Sequence, residues 1–285
     1  MGKKISLVLE GGGMRGAYTA GCLSWLIDEG IEFDGAYGIS TGALYLITFL
    51  SGNKTWLKEF SCRVLPAKEN VGISAFLKEG QIVAYNQMFS RMVEDFGFDL
   101  KKIKTNTSAK IGLYDLDLGK TIYIPFEKVN QKLIIAACSL PLIGKVCENE
   151  GSHYLDGGIS KMIPVEEAIS DGYDKFLIIT TKPSSFTRKP AKKIVVDLMR
   201  FVYKKCPNIS KDYEVRHINY LKQINIINDL VKQNKAVYRY PTKTMNVSRL
   251  GGSFQDLETL FEMGYSDMES IKEDIYKLVK EWKRY

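Results

Sequence analysis

The apolar positions of this chain fall into short continuous runs alternating with stripes of helical period. Ile5–Leu9 is an unbroken apolar-rich run of strand length, and it ends on the glycines Gly11–Gly13. From Met14 to about Asp28 the spacing of Met14, Ala17, Tyr18, Gly21 and Trp25 predicts a helix that begins on those glycines. Phe33–Ile39 reads as a second strand, and Gly42–Leu50 as a mostly apolar, buried helix. Between Ser51 and Asp99 the periodicity loosens into mixed helix and loop. Lys110–Tyr114 and Thr121–Pro125 flank the turn Asp117–Lys120 and predict a hairpin. Leu133–Ser139 is a small-residue helix stopped near Pro141. His153–Asp156 is a short strand running into Gly157–Gly158, Glu166–Asp171 a helix, and Lys175–Thr181 a buried strand.

Residues 183–285 follow a different pattern. Lys192–Lys205 and His217–Lys235 are long amphipathic helices, and Val237–Tyr240 could add one more strand. A terminal helix is expected to open at Ser266 with Glu269 completing a capping box, placing Ile271, Ile275, Leu278 and Trp282 on one face. Strands of continuous apolar character alternating with helices require both faces of a sheet to be covered. The expected fold is therefore a three-layer α/β/α domain with a mostly parallel central sheet, plus a mainly helical C-terminal extension. The division is a core over residues 1–182 and an extension over 183–285 packed on it.

Size and composition narrow the function. A chain of 285 residues with 45% hydrophobic and 26% charged residues can bury a core without staples. The five cysteines are scattered with no CxxC pair, and only two histidines accompany them, which leaves little for a zinc site. Reduced, buried thiols are expected, with no metal and no cofactor. The start MGKKISLVLE has too short an apolar run for a signal peptide or a spanning helix, and no later window is long enough to cross a bilayer. A soluble, cytoplasmic protein is expected. The net charge of +7 favours anionic surfaces, but it is spread along the chain and forms no nucleic-acid-binding motif.

Three clusters carry chemistry. Gly11-Gly-Gly-Met-Arg15-Gly16 fits G-x-G-x-x-G between strand and helix, the pattern of a dinucleotide-binding turn. That reading needs an acid at the end of the second strand. Gly38-Ile-Ser40-Thr-Gly42 stands there instead, a G-x-S-x-G whose glycines allow a sharp strand-to-helix turn presenting a serine hydroxyl. A serine is inert without a base. His217 lies on a lysine-rich amphipathic helix, and His153 is three residues from Asp156, so their side chains leave a strand on opposite faces. Asp156-Gly157-Gly158 offers a carboxylate at a strand end, which could take the proton of Ser40; alone it would equally suit an Asp-Gly turn.

In this order, GGGMRG, GISTG and DGG resemble the glycine-rich oxyanion loop, nucleophile elbow and D-G-G/A motif of patatin-like phospholipases, over roughly residues 5–182. Ala137-Cys-Ser-Leu-Pro141 is similar to the small-residue segment ahead of the family's aspartate. The resemblance implies a serine acyl hydrolase of lipid esters (phospholipid, lysophospholipid or acylglycerol). Ser40 would be the nucleophile and Asp156 the base. Gly11, Gly12, Gly13 and Gly16 would form the oxyanion loop with Arg15 supporting it, and Gly38, Gly42, Gly157 and Gly158 would support the motifs. It also implies that 183–285 matches the extension of certain bacterial members, with an Arg239–Leu250 strand and a turn at Gly264-Tyr265-Ser266-Asp267. A catalytically weak lipid- or acyl-binding regulator on the same fold is the alternative, which the joint presence of serine, aspartate and glycine loop disfavours.

Two positively charged features stay open. Arg15 sits where a helix N-terminus disfavours a cation, so it either stabilises the glycine loop or meets a lipid phosphate. Lys189–Lys205 is a basic helix whose Val195, Leu198, Met199, Val202 stripe either faces the core or lies in an anionic membrane interface.

Overall fold

The structure is a computed structural model that describes residues 4–244 and 246–283, with side chains described as far as Val279. Its strands are β1 (Ile5–Leu9), β2 (Gly35–Ile39), β3 (Ser108–Asp115), β4 (Lys120–Pro125), β5 (Cys147–Asn149), β6 (Ser152–Asp156), β7 (Lys175–Ile179) and β8 (Ala236–Arg239). They form one mixed sheet in the order β5-β6-β3-β2-β1-β7-β8, with β4 paired to β3. The run from β3 through β2, β1 and β7 to β8 is parallel, while β4, β5 and β6 are antiparallel. β1 and β2 are buried at every position, as strands covered on both faces must be.

The helices before the middle strands are α1 (Gly16–Asp28), α2 (Thr41–Leu50), α3 (Lys54–Glu59), α4 (Ile73–Glu79) and α5 (Tyr85–Phe96). The region that sequence periodicity left loose thus holds three short helices, α3 running directly into a π turn at Phe60–Val64. Then follow α6 (Gln131–Cys138), α7 (Val165–Ser170), α8 (Lys193–Val202), α9 (Asn208–Glu214), α10 (Arg216–Lys232), α11 (Phe254–Glu269) and α12 (Lys272–Lys283).

The described residues from 183 to 283 are woven into the same layers. β8 extends the parallel sheet beside β7, and α11 packs along α1. The two helices cross at backbone distance: a Cβ on Gly21 would stand 1.9 Å from the Phe261 carbonyl oxygen, and one on Gly264 would stand 2.1 Å from that of Tyr18. Tyr18 Oη donates to Asp267 and Trp25 Nε1 to Glu269 across the same contact.

Three C-terminal expectations are corrected. Gly264–Asp267 is not a turn and Ser266 opens no helix, because both lie inside α11, whose start is the Ser253–Asp256 capping box. The pairing of Gly264 with α1 explains the misreading: this glycine serves helix–helix contact, not chain reversal. The strand expected over Arg239–Leu250 ends at Arg239, where β7 ends beside it at Ile179. Ile275 and Leu278 are buried as expected, while the side chain of Trp282 lies outside those described.

The basic helix also departs from expectation. α8 buries Val196 and Met199, but Ile194, Leu198, Phe201 and Val202 are 48–79% exposed. Most of its apolar face therefore has no cover from the core. No described helix is long and apolar enough to cross a membrane. All five cysteines are free thiols, four of them buried.

Candidate active site

β3 brings the site together. Along one edge, its Ser108–Gly112 half pairs with β2, Ile39 lying opposite Gly112. On the same edge its next residues pair with β6 running the opposite way, Asp156 lying opposite Leu113. β2 and β6 therefore point at each other end to end, and Ser40 and Asp156 meet at the junction. Past Asp156 the chain crosses β3 so closely that a Cβ on Gly157 would stand 2.6 Å from the Gly112 carbonyl oxygen.

Ser40 occupies a sharp turn between β2 and α2, with φ 56° and ψ −129°. A non-glycine residue there is strained by about 1–3 kcal/mol. Although it occupies the N-cap position of α2, its hydroxyl makes no capping bond. Instead it lies close enough to the Asp156 carboxylate to pull that group's pKa down. The flanking glycines serve close packing: a Cβ on Gly38 would meet Ala43 Cα at 2.6 Å, and one on Gly42 would meet the Glu10 carbonyl oxygen at 2.7 Å.

Asp156 is buried, and its Oδ1 accepts from Gly158 N at 2.7 Å. Burial pushes its pKa above the ordinary carboxylate value. Ser40, the Gly158 amide, Arg216 and Arg249 pull in the opposite direction without cancelling the rise.

The glycine loop lies over this pair. Gly11, Gly12 and Gly13, with Met14 and Arg15, line a cleft shared with Ser40, Thr41, Asp156 and Gly158. Gly16 starts α1 against Tyr45 and Thr41. Two of the leading glycine amides are engaged within the protein: Gly11 N donates to the Met162 carbonyl at 3.3 Å and Gly12 N to Thr41 Oγ1 at 3.1 Å. Gly13 N, at φ +60°, has no hydrogen-bond partner among the described residues.

Neither histidine reaches the cleft. His153 is half-exposed, with Nδ1 3.1 Å from Asp117 Oδ2, and His217 Nδ1 contacts the Glu214 carbonyl at the surface.

A family model described as patatin-like phospholipase matches residues 7–169, more than half of the chain. The chain belongs to the patatin-like phospholipase family. A second model, a domain of unknown function (DUF6363), matches residues 206–280. The chain is 27% identical over 203 residues to the uncharacterized protein YjjU of Escherichia coli K12; the match covers 66% of this chain and 54% of that relative. The chain thus spans about half the length of the curated relative it matches. In fold it resembles VipD from Legionella pneumophila, with a TM-score of 0.53 at 11% identity, covering 95% of this chain and 67% of VipD.

Several cleft residues of this patatin-like chain escaped the sequence reading. Glu10, directly before the glycines, is buried with Lys182, and Thr181 donates to it through both N (2.7 Å) and Oγ1 (3.0 Å). This lock joins the ends of β1 and β7 beneath the glycine loop. Arg188, Arg216 and Arg249 join Arg15 along the cleft, each from a different segment. Arg216 adjoins His217, but no local pattern distinguishes it from any lysine or arginine at a helix start.

Proposed function

We propose that the chain is a serine acyl hydrolase of lipid esters in which Ser40 attacks the ester carbonyl and Asp156 takes its proton. The observation that carries this reading is the strained, uncapped Ser40 turned toward a buried carboxylate at the meeting of β2 and β6. Desolvation makes Asp156 a stronger base than a carboxylate in water. In the first half-reaction the Ser40 Oγ–acyl bond forms, the proton moves to Asp156, and the carbonyl oxygen gains the negative charge. Collapse expels the alcohol, which takes the proton back. Water, deprotonated by Asp156, then adds to the acyl carbon; the Ser40 Oγ–acyl bond breaks, Ser40 Oγ takes the proton from Asp156, and the acid leaves.

Donors for the oxyanion are Gly13 N–H and Thr41 N–H, because those of Gly11 and Gly12 are engaged. Thr41 is the first residue of α2, so the helix dipole adds to its pull. One such donor contributes about 3 kcal/mol in other acyl hydrolases.

The same reading gives the exposed apolar faces a use. Ile73, Phe76 and Leu77 of α4 are 57–81% exposed, like the outer face of α8. Both helices flank the segment after Leu140, a cleft residue: Ile82 N, just beyond α4, donates to the Ile143 carbonyl, and Leu142 N donates at 3.0 Å to the hydroxyl of Tyr203, just beyond α8. Lys189, Lys192 and Lys193 precede or open α8. An anionic bilayer seated on these faces would feed acyl chains to the cleft.

The deciding experiment is labelling with a fluorophosphonate probe alongside hydrolysis of a short-chain chromogenic ester. Labelling at Ser40, with activity abolished in Ser40→Ala and Asp156→Asn, supports the enzyme. No labelling of folded protein supports an acyl-binding regulator.

A further inference from the structure

Four guanidiniums converge on the cleft that holds Ser40 and Asp156. Arg15 comes from the turn after the glycines, Arg188 from the loop after β7, Arg216 from the first residue of α10, and Arg249 from the loop before α11. None of the four forms an ion pair with a described carboxylate within 4 Å. The Nε atoms of Arg15, Arg188 and Arg216 are out of contact with solvent and have no hydrogen-bond partner among the described residues. Buried charged donors are costly unless they are given acceptors, so these guanidiniums suit an anion.

The charges also repel one another. Burial pushes the Arg216 pKa down to about 9, and Arg188 and Arg249 add to that push. Arg15 is lowered by burial and then by Arg249. Little in the cleft balances them, since Glu10 is committed to Lys182 and Thr181, and Asp156 is a single carboxylate already bonded to Gly158.

The guanidiniums are nonetheless held in place. Arg188 lies 4.7 Å from the centre of the Tyr220 ring and Arg216 lies 5.4 Å from that of Tyr213. Ring stacking fixes a guanidinium plane while leaving its N–H edges free for an oxyanion. Arg216 is also near the reaction: a Cβ on Gly158 would stand 3.0 Å from Asp156 Oδ1 and 3.6 Å from Arg216 Nη2.

We infer that this cluster is a binding site for a phosphate monoester, and that the preferred substrate is an acylated glycerol phosphate whose terminal phosphate lies on Arg188, Arg216 and Arg249 while its ester carbon meets Ser40. The inference rests on the acyl-hydrolase reading. An excess of several positive charges suits a dianion better than the single charge of a phosphodiester, and forked guanidiniums bind phosphate oxygens in pairs. Arg216 and Arg249 lie in the stretch that matches the domain of unknown function, which thereby gains a role in completing the headgroup site.

The test compares kcat/KM for monoacylglycerol 3-phosphate, monoacyl-glycerophosphocholine and neutral monoacylglycerol of the same chain length. Wild type should prefer the phosphate monoester by at least tenfold over both others, and Arg188→Gln and Arg216→Gln should each reduce that ratio by tenfold or more. Inorganic phosphate should raise the Tm of wild type and of Ser40→Ala, and should raise it less in the arginine variants. These Tm and wild-type selectivity measurements stand even if an arginine variant fails to fold. Hydrolysis of all three esters without preference would overturn the phosphate site and leave the hydrolase intact, whereas absence of hydrolysis with phosphate still bound would overturn the hydrolase reading. Stabilisation by phosphate without preference for the phosphate-bearing ester would overturn the substrate assignment in favour of a free anion.

Discussion

Lys182 donates to Glu10 in an ion pair almost wholly withdrawn from solvent, joining the ends of two neighbouring parallel strands. Burial pushes the Glu10 carboxyl up, but Lys182, the Thr181 amide and Arg188 outweigh it, so Glu10 titrates below its ordinary range. Burial drives Lys182 down to about 7 against the attraction of Glu10. Glu10 directly precedes the glycine loop, so the pair anchors the strand end from which that loop departs.

Breaking this pair from one side strands a charge in the interior. Lys182→Met should cost about 3–5 kcal/mol of unfolding free energy, and Glu10→Gln with Lys182→Met should recover much of the loss. Urea unfolding of the two singles and the double measures the coupling; an additive double would show that the pair does not act as a unit.

Strain at Ser40 gives a prediction with opposite signs for stability and activity. At φ 56° and ψ −129° glycine loses nothing sterically, so Ser40→Gly should raise stability by about 1 kcal/mol or more while eliminating hydrolysis. Ser40→Ala keeps the Cβ and should lack the gain. Calorimetric Tm values for the two variants decide it.

The raised pKa of Asp156 fixes the direction of the pH dependence. A base must be ionised, so the acidic limb of kcat/KM should lie above the ordinary aspartate value of about 3.9. Burial is the main cause of that rise and Arg216 opposes it, so Arg216→Gln should move the limb to still higher pH. Between the unfolded and folded pKa values the native state holds more protons than the unfolded chain, so this residue's contribution to stability falls as pH rises through that window. Asp156→Asn should remove that slope from a stability-versus-pH curve.

The crossing of α1 and α11 leaves no room for a methyl group. Gly21→Ala and Gly264→Ala should each destabilise by about 1–3 kcal/mol through forced separation of the helices. Unchanged urea midpoints would mean that the C-terminal helix sits less tightly on the core.

Contact with a bilayer through the α8 face should fall with salt and with Lys192→Glu/Lys193→Glu, and should fall independently with Phe201→Ser. Co-sedimentation with vesicles containing anionic lipid reads both effects. Binding insensitive to all three changes would place the lipid surface elsewhere.

Features confined to a few neighbouring residues were legible in the sequence. The apolar runs of β1 and β7, the helix after the glycines, the serine turn and the Asp-Gly-Gly strand end each depend on local conformation and local periodicity, and the order of the three motifs carried the family resemblance. Only the tertiary structure decided how those pieces meet. β3 receives β2 and β6 on one edge in opposite directions, a register that no single strand encodes. The same holds for Gly264, whose lack of a side chain looks like a turn until α1 lies against it. Charge is the extreme case: arginines spaced from residue 15 to residue 249 look like a diffuse basic character along the chain, and become a concentrated field only where four loops and helix starts close over one serine. Electrostatic interaction depends on distance through space, which the linear order of residues does not contain.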